Sequence, residues 1–114
     1  KNAGIKVKIS ARAGNDIHVS PKDMVIVIAN LFENAINATK KLKSKEKIID
    51  VDIREKETRL LVKIENPCKT NLKFDEVDYG IGISSVITTT EKYEGMYDFT
   101  AQDGTFSSKV CLNY

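Results

Sequence analysis

The sequence has little of what marks metal centres, membrane spans or nucleic-acid surfaces. Only two of its 114 residues are cysteines and one is a histidine, and Cys68 and Cys111 have no metal-binding or redox spacing. Two thiols in so small a chain favour a reducing cytoplasm, with a single disulfide as the alternative. The longest apolar run, 24–29, is far shorter than a membrane span. A net charge of +2 does not indicate a surface that binds nucleic acid. We therefore expect this domain to contact neither a membrane nor nucleic acid.

No repeat, linker or low-complexity segment divides the chain. A length of 114 residues, with 41% hydrophobic and 30% charged residues, is typical of one soluble globular domain. We therefore expect a single domain over 1–114. No signal peptide is visible and the first residue is Lys1, so we expect a domain from a longer protein.

The most informative stretch is 24–41, which reads MVIVIANLFENAINATKK. A helix start signal precedes this stretch: Ser20 at the N-cap, Pro21 at the first helical position, and Asp23 three residues after the serine. Apolar residues follow at helical spacing and predict a buried face made of Met24, Ile28, Leu31, Ala35 and Leu42, flanked by Val25, Phe32 and Ile36.

A polar stripe shares one face of the same predicted helix: Asn30, Glu33, Asn34, Asn37 and Lys41. Asparagine is a mediocre helix former, so three of them on one face indicate that their carboxamides are needed. Two carboxamide oxygens one turn apart can hold a hard cation such as Mg²⁺. The alternative is the solvated face of an amphipathic helix, and the helix alone does not decide between them.

The remaining pattern predicts five strands and a second helix. Alternating residues predict strands at 4–11, 48–54, 59–65, 96–101 and 106–112. The link 55–58 joins one hairpin, and Asp103-Gly104 is a strong signal for another. The order predicts an α+β two-layer sandwich, in which helices cover one face of a mixed, mostly antiparallel sheet.

The segments between these elements carry turn and loop signals. Gly14 to Asp16 is a turn, and 40–47 is basic and loop-like. The longest irregular segment is 66–79, and long loops in compact domains are often functional. A helix is predicted over 80–93, with Gly95 as its stop signal, although β-branched threonines weaken this helix.

Glycines stand where this loop meets the second helix, in the run Tyr79-Gly80-Ile81-Gly82-Ile83. Glycines there let backbone N–H groups approach an anion, and a helix N-terminus favours phosphate. The alternative is a structural need for a flexible turn.

The combined motifs resemble the Bergerat-fold ATP-binding domain of the GHKL family, which includes gyrase, histidine kinases and MutL. The run NLFENAINA at 30–38 resembles the N box of that family, and YGIGISSV at 79–86 resembles its second glycine box. Between them lies a predicted strand that ends in Ile64-Glu65-Asn66. Within the family the chain is most similar to catalytic domains of the quorum-sensing sensor kinases that detect peptides.

The resemblance implies roles for the polar stripe. Asn34 matches the N-box residue that holds Mg²⁺ between the nucleotide phosphates, and Asn30 matches the residue one turn earlier that shares this task. Asn37 and Lys41 would lie near phosphates or ribose. Glu33 is a candidate for orienting a water or a neighbouring side chain at the reaction, with a structural hydrogen bond as the alternative.

The resemblance also implies roles outside that helix. Asn66 stands where most relatives have the aspartate that accepts a hydrogen bond from the adenine amino group. Gly80, Ile81 and Gly82 match the box that closes the lid over the phosphates, with Ile83 packing below. The implied cofactors are ATP and Mg²⁺.

The function implied by the resemblance is that of a catalytic domain in a bacterial two-component sensor histidine kinase. It would pass the γ-phosphate to a histidine on a separate dimerisation domain of the same parent, usually in a homodimer, with a response regulator downstream. This chain lacks that domain, so His18 is not the expected acceptor and the chain alone would be inactive. The domain would be the cytoplasmic part of a membrane sensor.

Two alternatives stay open. Asn66-Pro67-Cys68 replaces the usual aspartate and Gly-x-Gly, which favours a degenerate module that binds nucleotide weakly or not at all and acts through protein contacts. An anti-sigma-type serine kinase has the same fold and needs a partner with an acceptor serine.

Overall fold

The computed structural model describes residues 5–12, 18–42, 47–68 and 80–114. In chain order the elements are β1 (Ile5–Arg12), α1 (Pro21–Lys40), β2 (Lys47–Lys56), β3 (Arg59–Pro67), α2 (Gly80–Lys92), β4 (Met96–Gln102) and β5 (Thr105–Asn113). Both predicted helices and all five predicted strands are present, with ends shifted by a few residues. Gly4, the predicted turn at 14–16 and most of the predicted lid, 69–79, lie outside the described residues, as does 43–46 of the basic segment.

The five strands form one sheet in the order β1-β2-β3-β5-β4. Strands β1 and β2 are parallel, and the other three pairs are antiparallel. A parallel pair requires a crossover connection, and α1 lies within that connection. The predicted sandwich with a mixed, mostly antiparallel sheet is therefore confirmed.

Two-residue turns close both hairpins. Asp103 and Gly104 have φ angles of 53° and 80°, and two positive φ angles are characteristic of the hairpin turn that Asp-Gly favours. The first hairpin turns at 57–58 and is tighter than predicted, because Glu55 and Lys56 still pair with β3.

The core lies between the two helices and one face of the sheet. Every second residue of β3 is buried on that face, and both helices contribute to the same cluster, which includes Leu60, Val62, Ile64, Val27, Leu31, Ala35, Ile83 and Val86. The prediction was wrong for Val25, whose side chain is 64% exposed. The buried line of α1 runs through Val27, and two residues along a helix turn a side chain to the opposite side. Neither helix among the described residues is long and apolar enough to cross a membrane.

The threonines of α2 do not break the helix. Thr90 is fully buried, and its hydroxyl donates to the Val86 carbonyl oxygen at 2.7 Å, so the polar group is satisfied inside the helix. Gly95 stops the helix as predicted, because its N–H donates to the Thr90 carbonyl oxygen at 2.9 Å. A Cβ at Gly95 would lie 1.9 Å from the Cys111 carbonyl oxygen, so only glycine fits there.

Candidate functional site

The two helices run antiparallel and contact each other along one flank of α1. Asp23 in the first turn of α1 bonds Lys92 in the last turn of α2. Further along α1, Asn30 contacts Gly82 in the first turn of α2. The start of α2 therefore lies beside Asn30 of α1, and among the strands of the sheet α1 packs mainly over β3.

Asn30 is held by its own helix and faces Gly82. Its Nδ2 donates to the Ile26 carbonyl oxygen at 2.7 Å. A Cβ built on Gly82 would lie 2.7 Å from Asn30 Oδ1, 3.2 Å from Cγ and 3.4 Å from Cβ. The absence of a side chain at Gly82 is thus what lets α2 approach Asn30. This packing requirement exists whatever the glycine does for a phosphate.

The predicted polar stripe divides into two parts. Asn34, one turn beyond Asn30, is half-buried, and within the described residues its carboxamide makes no hydrogen bond. Glu33, Asn37 and Lys41 are exposed. Lys41 is the C-cap of α1, and its backbone N–H donates to the Ala38 carbonyl oxygen. Asn30 is the residue of the stripe that contacts α2, and Asn34 follows it one turn along the same face of α1.

Asn66 ends the buried row of β3. It continues the alternation of Leu60, Val62 and Ile64 and is only 2% exposed. Its Nδ2 donates to the Pro67 carbonyl oxygen at 2.9 Å, which fixes the orientation of the carboxamide. No donor among the described residues reaches its Oδ1. A buried acceptor is costly without a donor, and an N–H group of a ligand is a donor that this oxygen can accept.

The first turn of α2 contains Gly80, Ile81, Gly82 and Ile83, the part of the predicted glycine box that was assigned to the site. Ile83 is 3% exposed and belongs to the core, as expected for a residue packing below the site. The first N–H groups of a helix have no partner within it, and they carry the positive end of the helix dipole. This turn therefore offers donors to an anion beside Asn30.

The residues after Asn66 are held against β5. Pro67 pairs with Thr105, and the Cys68 N–H donates to the Gly104 carbonyl oxygen at 2.9 Å. Burial raises the pKa of the Cys68 thiol. Cys68 and Cys111 are both free, so the alternative of a disulfide was wrong.

The sequence did not predict the side-chain cluster that joins the start of α1 to the end of α2. The sequence shows Asp23 only as part of a capping signal, but its carboxylate accepts hydrogen bonds from both Lys92 and Tyr93. The available signal was its position: Asp23 heads the line of buried residues at four-residue spacing, Val27, Leu31, Ala35 and Thr39. An acid on such a line must have a partner.

A cation at this site would depend on carboxamide oxygens and on the oxygens of the ligand itself. Among the described residues, no three His, Cys, Asp or Glu side chains are grouped as metal ligands. Hard cations such as Mg²⁺ accept amide oxygens and keep several waters. Asn34 and Asn30 fit that donor chemistry.

Solved structures of histidine kinases share this fold at low sequence identity. The chain matches the histidine kinase AdeS of Acinetobacter baumannii at a TM-score of 0.75 and 12% identity, over 98% of this chain and 55% of that one. It matches the catalytic domain of histidine kinase ThkA at a TM-score of 0.73 and 17% identity, over 98% of this chain and 81% of that one. Full-length ShkA, solved in complex with AMPPNP, matches at a TM-score of 0.76 and 12% identity, over 97% of this chain and 26% of that one.

The chain spans about half the length of AdeS. No curated protein matches the sequence. The model of the GHKL domain matches residues 19–113, from the start of α1 to the end of β5. This match covers the half-buried asparagines, Asn66 and the first turn of α2. The chain therefore belongs to the GHKL family.

Proposed function

We propose that this domain binds Mg·ATP and is the catalytic domain of a two-component sensor histidine kinase of the quorum-sensing type. The observation that carries the proposal is the carboxamide of Asn66, which is 2% exposed and has its Nδ2 committed to Pro67. At the end of β3, no donor in the part of the chain that the structure describes reaches its Oδ1.

Asn66 would recognise the base. The amino group of adenine is a donor and complements Asn66 Oδ1, whereas guanine has a carbonyl oxygen at the same ring position. Two acceptors facing each other would leave both without a hydrogen bond, and a buried unpaired polar group costs about 1–3 kcal/mol. We therefore expect adenine nucleotides to bind more tightly than guanine nucleotides.

The phosphates would lie between α1 and the first turn of α2. Asn34 would hold the cation through its carboxamide oxygen, with Asn30 beside it, and the N–H groups of the first turn of α2 would bind phosphate oxygens. When bound, Mg²⁺ would neutralise charge on the phosphates. The residues of this chain would position the γ-phosphate rather than form a covalent bond to it.

The acceptor would be supplied by another part of a longer protein. Supporting this, the chain spans 55% of AdeS and 26% of ShkA. We propose an acceptor histidine on a dimerisation domain of the same parent, a homodimeric parent, a downstream response regulator, and a cytoplasmic position below a membrane sensor. The domain alone would bind nucleotide without transferring phosphate.

The test is calorimetric binding of Mg·ATP and Mg·GTP to the wild type, Asn66→Ala and Asn66→Asp. We expect the wild type to prefer ATP and Asn66→Ala to lose about tenfold in ATP affinity, the equivalent of about one hydrogen bond. Asn66→Asp has the residue that most relatives have and keeps an acceptor for the base, so it should bind ATP more tightly than Asn66→Ala, although it loses the donor to the Pro67 carbonyl oxygen. Equal affinity of all three proteins for ATP, or no preference over GTP, would remove Asn66 from the site.

A degenerate module is the second candidate, and one contact favours it. The Cys68 N–H donates to the Gly104 carbonyl oxygen beside the pairing of Pro67 with Thr105, so residues 67–68 follow the sheet where the family pattern has Gly-x-Gly. If the wild type binds no nucleotide at millimolar concentration, this candidate replaces the kinase.

A further inference from the structure

A second cluster holds the helix pair at the end away from the candidate site. The Asp23 side chain is 8% exposed, and its Oδ2 accepts from Lys92 Nζ at 2.8 Å and from Tyr93 Oη at 2.6 Å. The Tyr93 hydroxyl oxygen in turn accepts from the Ser20 N–H at 3.1 Å. We name these four residues, Ser20, Asp23, Lys92 and Tyr93, the helix clamp.

The clamp is more than a helix cap. Ser20 Oγ already accepts from the Asp23 N–H at 3.1 Å, which satisfies the first turn of α1. In a capping box the acid at this position would return a bond to the Ser20 N–H. Here that N–H donates to Tyr93, and the Asp23 carboxylate accepts from two residues at the end of α2. Lys92, the last residue of α2, and Tyr93, the residue after it, therefore bind the start of α1 at one point.

We propose that Asp23, Lys92 and Tyr93 are positioning residues of the nucleotide site, acting through α2; this rests on the proposed function. A helix is stiff and rises about 1.5 Å per residue, so the clamp lies roughly 10 Å along α1 from Asn30. Fixing the end of α2 fixes how far its first turn reaches along α1. Since Gly82 contacts Asn30 with no room for a methyl group, a small shift of α2 would change this contact.

The test compares four variants: Asp23→Asn, Lys92→Met, Tyr93→Phe and the conservative Lys92→Arg. Lys63→Met is the matched control, because it removes a lysine from an ion pair at 3.7 Å with Glu65, on β3 and outside the helix pair. The first readout needs no nucleotide: hydrogen exchange at the amides of 84–86, which donate to carbonyls in the first turn of α2. The second readout is the Mg·ATP affinity.

We expect exchange at 84–86 to rise by about threefold or more in the first three variants, with exchange in β3 and β5 unchanged, because local opening is separable from global unfolding. Lys92→Arg should keep the wild-type protection from exchange at 84–86, and Lys63→Met should not change it. Mg·ATP affinity should fall in parallel with lost protection.

Unchanged exchange at 84–86, or equal loss of protection in α2 and the sheet, would overturn the proposal and leave the clamp a merely structural feature. Failure of the wild type to bind nucleotide would instead overturn the proposed function. In that case the exchange data would still show whether the clamp docks the first turn of α2 on Asn30.

Discussion

Gly82 and Asn30 are in contact with no room for a methyl group: a Cβ on Gly82 would lie 2.7 Å from Asn30 Oδ1. Asn30 cannot swing aside freely, because its Nδ2 bonds the Ile26 carbonyl oxygen. The first turn of α2 and the face of α1 that carries Asn30 therefore pack closely at this point. Gly82 belongs to a glycine motif that suggests loop flexibility, but it is also needed here for the packing of α2 against Asn30.

This contact gives a double-mutant prediction. Alanine is favoured over glycine inside a helix by about 1 kcal/mol, whereas overpacking typically costs about 1–3 kcal/mol. Gly82→Ala should therefore destabilise the wild type but stabilise Asn30→Ala, in which the obstructing carboxamide is gone. Urea unfolding of the four proteins measures the coupling, expected at about 0.5–3 kcal/mol. The same gain from Gly82→Ala in both backgrounds would show that the close contact is absent.

The two parts of the polar stripe should behave differently. Asn34→Ala should weaken Mg·ATP binding by about tenfold or more, through loss of a carboxamide ligand to the cation. Asn37→Ala removes the same group from an exposed position of the same helix, and should change little. Titration of ATP with Mg²⁺ and with a chelator measures both. Equal effects of the two substitutions, or a loss at Asn34 that persists in chelator, would end the metal assignment.

The helix clamp predicts an acid-sensitive contribution to stability. The hydrogen bond from Lys92, and then that from Tyr93, lower the pKa of Asp23 from 3.8 to about 2. A carboxyl whose pKa is depressed on folding stabilises the protein above its unfolded pKa, and this is lost as the pH falls towards the folded value. The stability difference between the wild type and Asp23→Asn should be constant from pH 7 to about 5 and shrink from about pH 4 to 2.

Lys92, the ion-pair partner of Asp23, sets the alkaline limit of the same stabilisation. Asp23 raises the pKa of Lys92, so the stabilisation from Lys92 is complete below its unfolded pKa and is lost at alkaline pH. Denaturant unfolding across pH measures both limits, and carboxylates outside the clamp cancel in the difference between variants. A difference that narrows between pH 7 and 5 would contradict the ion pair.

Gly95 tests the packing of α2 against the sheet. Gly95→Ala would place its Cβ 1.9 Å from a backbone oxygen of Cys111, and neither backbone can move without disturbing β5. We expect a loss of more than about 3 kcal/mol or failure to fold. Gly104→Asn is the control, because φ is 80° there and asparagine tolerates that region; it should fold. A folded Gly95→Ala of normal stability would refute the close approach.

What the sequence predicted well depends on neighbouring residues. Ser20 and Pro21 mark the start of α1, and Asp103-Gly104 marks the last hairpin, because caps and turns are decided within a few residues. Candidate roles for Asn34 and Asn66 follow from the resemblance to the family motifs and not from local pattern.

What the sequence did not predict depends on distant partners. Asp23 bonds residues 69 and 70 positions away, and no local pattern signals that choice. The order in which β5 lies between β3 and β4 is likewise decided by side chains brought together only in the folded chain. Periodicity places Asn30 and Asn37 on the same face of α1. It does not predict that Asn30 contacts Gly82 of α2 and is half-buried, whereas Asn37 is exposed.

The most direct test of nucleotide binding is thermal unfolding of the domain without nucleotide, with ATP plus Mg²⁺, and with ATP plus chelator. At 100 times Kd a ligand stabilises the folded state by about 2.7 kcal/mol, which for a domain of this size raises Tm by roughly 10 °C. We predict a rise of this order that requires Mg²⁺. An unchanged Tm at millimolar ATP and Mg²⁺ would contradict an ATP site in this chain.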